Sequence, residues 1–189
     1  QDRHCPRCAA ARAARWLEQQ KEKLLPVPHF QVVFTLPQEL RLIARASPRA
    51  VYGLLMRSAV ASLQAVLSSQ YQARFAITAV LHTWTREMLF HPHVHVVVSA
   101  GGLSLDDRRW VQTGTSFLVS TRKLAPLFRG KLLSSLRKVR NNGDLVLVDP
   151  LASQWESVLN KAAGKTWVIH VEPPQRRSPG TLLKYLARY

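Results

Sequence analysis

Residues 90–99, FHPHVHVVVS, decide the fold. The run is rich in β-branched valine, which suits a strand whose successive side chains point to opposite faces. His93 and His95 then share one face, about 7 Å apart along the chain, while Val94 turns into the core. Upstream lies a second apolar run, FAITAVLHTW at 75–84. About eight residues join it to HVHVVVSA at 93–100, as in an antiparallel hairpin.

Outward from this hairpin, HFQVVFTLP (29–37) reads as the first core strand, closed by Pro37, and KTWVIHVEP (165–173) as another strand. Gly101-Gly102 and Asp106-Asp107 mark turns, and RRWVQ with SFLVS reads as further β-structure. Residues 9–25 have Ala, Leu and charges at helical spacing, and Pro26 and Pro28 end that helix. The longest helical pattern is 48–70, with Val51, Leu54, Leu55, Ala59, Leu63 and Val66 roughly on one face. A basic helix at 124–140 stops at Asn141-Asn142-Gly143, and SQWESVLNKAA is a short one. After the loop PPQRRSPG, TLLKYLARY starts a final helix with Thr181 as N-cap. Hairpins dominate over crossovers. The predicted class is α+β, an antiparallel sheet with helices packed on one face.

The chain carries 27 Lys+Arg against 11 Asp+Glu, a net charge of +16. A surplus that merely aids solubility is the bland reading; a polyanion drawn by counterion release is the sharper one. Nucleic acid is favoured over a membrane surface, because no strongly basic helix has an aromatic apolar face. No stretch reads as long and apolar enough to span a membrane, and the start shows no signal segment. A cytosolic, nucleoid-associated protein is the simplest expectation. Cys5 and Cys8 form one C-x-x-C, half of a zinc site. His4 and His29 could add ligands, but the spacing completes no finger. The chain begins at Gln1 without an initiator Met and stops at Tyr189, so a fragment is expected.

A divalent ion held by His93 and His95 needs a further ligand. His82 is the leading candidate: if Trp84 pairs with His93, His82 falls opposite His95 on the same face. Gln38 and Glu39 compete for that role. The alternative is half-buried strand histidines bonded to backbone. Metallo-hydrolases usually carry HxHxDH, but VVVS follows His95, which counts against a hydrolase.

At the end of the chain, Tyr185 and Tyr189 stand at i and i+4, about 6 Å apart on one helix face. Lys184 and Arg188 flank them and could contact phosphates, as could Arg176 and Arg177. Ordinary aromatic packing beside Leu182, Leu183 and Leu186 is the competing reading.

RHCPRC, LLPVPHFQVVFTLPQEL, AVLHTWTREMLFHPHVHVVVSAGGLS, LFRGKLL and KYLARY, in this order, resemble the two-tyrosine HUH transposases of rolling-circle insertion sequences. That resemblance implies an HUH-nuclease-like fold. It implies Mg²⁺ or Mn²⁺ held by the HUH histidines and tyrosine attack on single-stranded DNA of the transposon end. The products would be a 5′-phosphotyrosine and a free 3′-OH, with neither membrane nor small-molecule substrate involved. It further implies that residues 1–28 are the remnant of an N-terminal Zn²⁺-binding DNA-recognition domain and linker helix, and that 29–189 are the catalytic domain. Trp84, Trp110 and Trp167 are available for base stacking. Two other functions compete: a non-catalytic basic nucleic-acid-binding module, and a metal-dependent hydrolase without a covalent step.

Overall fold

Along β1 (His29–Thr35), Phe30, Val32 and Phe34 alternate with Gln31, Val33 and Thr35. The first set is completely buried, and Gln31 is buried too. A strand covered on both faces belongs in the middle of a sheet, and β1 lies there. It pairs antiparallel with β3 (Phe90–Ser104) on one side and β5 (Ile169–Glu172) on the other. β2 (Ala73–Trp84) pairs with the other edge of β3, giving the order β2-β3-β1-β5. The short β4 (Trp110–Gln112) pairs with β3 at Gly101–Leu103, beyond the end of the β1 ladder. The computed structural model describes residues 6–85, 87–174, 183 and 186.

The helices are α1 (Pro6–Lys23), α2 (Arg41–Ala46), α3 (Pro48–Tyr71), α4 (Thr121–Asn141) and α5 (Trp155–Ala163). A 3₁₀ turn at Gln38–Leu40 precedes α2. The apolar face of the sheet carries Phe30, Val32, Phe34, Val94, Val96 and Val98, all fully buried. α3 and α4 cover that face, contributing Leu55, Leu63, Leu67, Phe128, Leu132 and Leu136 to one core. Phe34 meets Phe128 edge-on at 4.9 Å, and Phe128 meets Trp167 at 5.2 Å. Burying each such side chain stabilises by about 1.5–3 kcal/mol. The observed class is the expected one: α+β, antiparallel, with these helices on one face.

Several expectations need correction. SFLVS is not a strand: Leu118 and Val119 are buried, but the Leu118 carbonyl accepts from Tyr71 Oη at 2.9 Å and Gln70 Nε2 at 3.3 Å. Side chains of α3 thus replace a ladder. Gly101 and Gly102 lie inside β3, not at a turn. They are needed there because a Cβ at Gly101 would strike the Trp110 ring, and one at Gly102 the Arg74 carbonyl. On α3 the buried stripe includes Ser58, Ser62 and Leu67, whereas Val66 is half-buried. α2 was not foreseen, since six residues are too few to show a period. α3 is also long and apolar enough to cross a membrane by length and composition alone, contrary to the reading that no stretch is. Its buried side chains pack in the core under the sheet, which accounts for its apolarity.

Candidate metal centre

The opposite face of the sheet carries polar residues. The β2–β3 ladder pairs Thr78 with Val97, Val80 with His95 and His82 with His93. This register differs by two residues from the one that sets Trp84 against His93. A shift of two preserves the face on which every side chain stands, so His82 still joins His93 and His95. A register break between His82 and Trp84 lets Trp84 pair with Phe90, shortening the connection to residues 85–89.

The ring centroids of His82 and His95 are 4.5 Å apart, those of His93 and His95 4.9 Å, and those of His82 and His93 5.4 Å. One ligand atom from each lies within 4.8 Å of the others, so the three could hold one metal ion. Glu39 is not part of this group. His82 and His95 are buried, and His93 is half-buried.

Hydrogen bonds at the ring nitrogens decide which lone pairs face the centre. His93 Nδ1 donates to the His91 carbonyl at 2.6 Å, which leaves Nε2 for a ligand. His82 Nε2 donates to the Leu186 carbonyl at 3.2 Å, so the lone pair of the neutral ring is on Nδ1. Gln31 Nε2 donates to His95 Nδ1 at 2.9 Å, so in this arrangement Nδ1 accepts. Ligation through His95 Nε2 would need the Gln31 amide turned over, so that its oxygen accepts from Nδ1–H.

Burial lowers the pKa of His95 to about 3, helped by the neighbouring His82 and His93. Burial also lowers His82, with His93 adding to the effect and the bond to Leu186 opposing it. Both are therefore neutral imidazoles at physiological pH, the form that ligates metals. Nitrogen donors of this kind suit divalent transition ions, and three of them on one face leave positions for phosphate oxygens. Of the two ions that the family resemblance implies, the donor set fits Mn²⁺ better than Mg²⁺.

His91 extends the row: its ring stands 5.5 Å from that of His93. Arg41, the first residue of α2, donates from Nη2 to His91 Nδ1 at 2.7 Å. Next to it, the Arg45 guanidinium sits 4.6 Å over the Phe90 ring, and Phe90 meets Trp84 at 5.5 Å. Trp84 and Trp110 are exposed. Trp167, expected as a stacking platform, is instead buried, with Nε1 donating to the Ala162 carbonyl at 2.9 Å. It belongs to the core.

Leu183 and Leu186 are helical and buried, and the Leu186 carbonyl bond to His82 brings this part of the chain to the histidine face. Tyr185, Tyr189, Lys184, Arg188, Arg176, Arg177 and Thr181 lie outside the described residues, as does Cys5. Cys8 falls within α1. Gln31, His91 and Arg41 were missed by sequence reasoning. Two of them left a trace: a glutamine inside the apolar run HFQVVF, and a third histidine continuing the i, i+2 row of His93 and His95.

A family model described as "Putative transposase" matches residues 76–189. A second, for a transposase zinc-binding domain, matches residues 1–36. The chain belongs to this transposase family, that of the two-tyrosine HUH enzymes its motifs resemble. It is 36% identical to "Putative transposase y4qJ" of Sinorhizobium fredii, over the full chain and 49% of that protein. It is 30% identical to the transposase for insertion sequence element IS801 of Pseudomonas savastanoi pv. phaseolicola, over 99% of this chain and 45% of that one. The chain thus spans about half the length of these curated relatives. Among solved structures it is similar to the conjugative relaxase TrwC in complex with oriT DNA. The metal-free form has a TM-score of 0.48 at 14% identity, covering 85% of this chain and 73% of that one. The metal-bound form has a TM-score of 0.45 at 14% identity, covering 84% and 70%.

Proposed function

We propose that this chain is the nuclease part of a transposase that cleaves and rejoins single-stranded DNA of a transposon end through a phosphotyrosine bond. The observation that carries the reading is the trio His82, His93 and His95, with ligand atoms within 4.8 Å of one another. Leu186, the chain neighbour of Tyr185, has its carbonyl 3.2 Å from His82 Nε2, which supports Tyr185 acting beside the trio. Residues 1–28 form zinc-binding-domain sequence and the linker helix, with Cys5 and Cys8 as Zn²⁺ ligands. Residues 29–189 form the catalytic domain.

In this reading His82, His93 and His95 hold Mg²⁺ or Mn²⁺, which when bound polarises the scissile phosphate. The oxygen of Tyr185 or Tyr189 attacks phosphorus, the P–O3′ bond breaks, and the 3′ oxygen leaves with a proton as a free hydroxyl. The 5′ phosphate stays on the tyrosine. One phosphate ester replaces another, so the step runs in either direction, as strand transfer requires. Lys184, Arg188, Arg176 and Arg177 would contact the backbone phosphates. Rolling-circle transposition is the process such an activity serves.

A suicide-substrate assay on the full-length protein tests the reading. Wild type should form a covalent protein–DNA adduct. His95→Ala should abolish cleavage while leaving single-strand binding within a few fold. The Tyr185→Phe, Tyr189→Phe double variant should form no adduct, and each single variant should lose at least one strand transfer. Free ends without an adduct would make the protein a hydrolase; intact DNA would make it a binding module.

A further inference from the structure

We propose that Arg41 and His91 form a phosphodiester-binding site at the edge of the histidine trio, receiving a backbone phosphate next to the scissile one. The inference rests on the single-strand cleavage reading above.

The argument starts from the charge of Arg41. A guanidinium is always protonated and only donates. Its 2.7 Å bond to His91 Nδ1 therefore makes that nitrogen an acceptor. Neutral His91 then carries its proton on Nε2, a second donor. Among the described residues, the buried Arg41 Nε has no hydrogen-bond partner and no carboxylate pairs with Arg41. A partly buried cation held only by a neutral base is incompletely compensated, because buried charges are normally paired. An anion rich in acceptors would complete the pairing of this cation.

Position narrows its chemistry. The His91 ring lies 5.5 Å from that of His93, so the anion would sit beside the trio's own phosphate. On the outer side, Arg45 over Phe90 and the exposed Trp84 offer a further cation and an aromatic face. Alternating phosphates and bases need such a sequence of cation and ring. The fork of Arg41 suits a phosphate oxygen pair, which a lysine could meet only as a point charge.

The test measures binding of a labelled single-stranded oligonucleotide as salt rises, using the full chain. For wild type, log affinity should fall linearly with log salt. Arg41→Met should lower affinity ~10-fold. It should also reduce the slope by ~0.7, one single-strand phosphate. Arg41→Lys should keep the slope. Mn²⁺ binding, read by electron paramagnetic resonance, should be the same in all three. A second series varies the DNA. Oligonucleotides carrying one neutral methylphosphonate at successive positions should lose affinity for wild type at one position beside the cleaved bond. Arg41→Met should show no further loss at that position. Equal losses in both proteins at every position, or an unchanged slope in Arg41→Met, would overturn the site while leaving the cleavage reading intact. Loss of Mn²⁺ binding in Arg41→Met would assign it to holding the histidine strand and would also overturn the site. A wild type that binds no single strand would overturn both.

Discussion

The side-chain amide of Gln31 on β1 lies 2.9 Å from Nδ1 of His95 on β3, 64 residues away in sequence. Both groups are buried, so the contact fixes the tautomer of His95 and not merely its orientation. Gln31→Leu should weaken metal binding about 10- to 100-fold, the usual effect of losing such a partner. Gln31→Glu puts a carboxylate acceptor at that place, holds the ring proton on Nδ1 and should retain binding. Isothermal titration with Mn²⁺ checks the affinities, and ¹⁵N shifts of His95 check the tautomer. Equal affinity in wild type and Gln31→Leu would remove Gln31 from this role.

Folding should depend on pH through the same rings. Burial, the largest cause in each, holds His29, His82, His91 and His95 below the ordinary value of 6.5, with His95 at about 3. Unfolding frees these rings to take protons near pH 6.5, whereas the folded chain takes them only at lower pH. In that window the unfolded state binds more protons, so stability rises with pH. The metal-free protein should therefore be fully stabilised above pH 6.5 and lose stability as pH falls from 6.5 toward 3. Thermal melting checks this. His95→Gln should flatten the dependence; an unchanged slope would show that His95 is not its source.

Metal preference should follow the donors. Three imidazoles bind Mn²⁺ more tightly than Mg²⁺, which prefers oxygen ligands. In competition, Mg²⁺ should displace Mn²⁺ only in large excess. An equal or higher affinity for Mg²⁺ would mean that oxygen ligands outside the trio dominate the site.

The tryptophans should divide. Trp84 is exposed and stands on Phe90, so Trp84→Ala should cost about 1–3 kcal/mol of single-strand binding with little change in stability. Trp167 is buried against Phe128, so Trp167→Ala should destabilise the fold by about 3–5 kcal/mol. Fluorescence anisotropy and chemical denaturation separate the two. A Trp84→Ala protein with unchanged DNA affinity would remove the hairpin tip from the interface.

Much of the fold was legible because strand and helix periods are local. Val94 could be assigned to the core and His93 to the other face from alternation alone, and both assignments hold. SFLVS misled for a physical reason: its β-branched, apolar composition reports burial, and a loop with buried Leu118 and Val119, the Leu118 carbonyl bonded to Tyr71 and Gln70, has the same composition. Gly101-Gly102 misled likewise, since glycine serves both a turn and a close approach of chains, here under Trp110 and beside Arg74.

By itself the sequence determined the parity of each strand, and parity alone put His82, His93 and His95 on one face. It also determined the basic charge and the family. The tertiary structure decided what parity cannot. It set the pairing of His82 with His93, and brought Gln31 to His95 and Arg41 to His91. It placed Trp167 in the core. Each of these joins residues from separate elements. Their distances depend on how sheet and helices pack, and no local pattern encodes that packing.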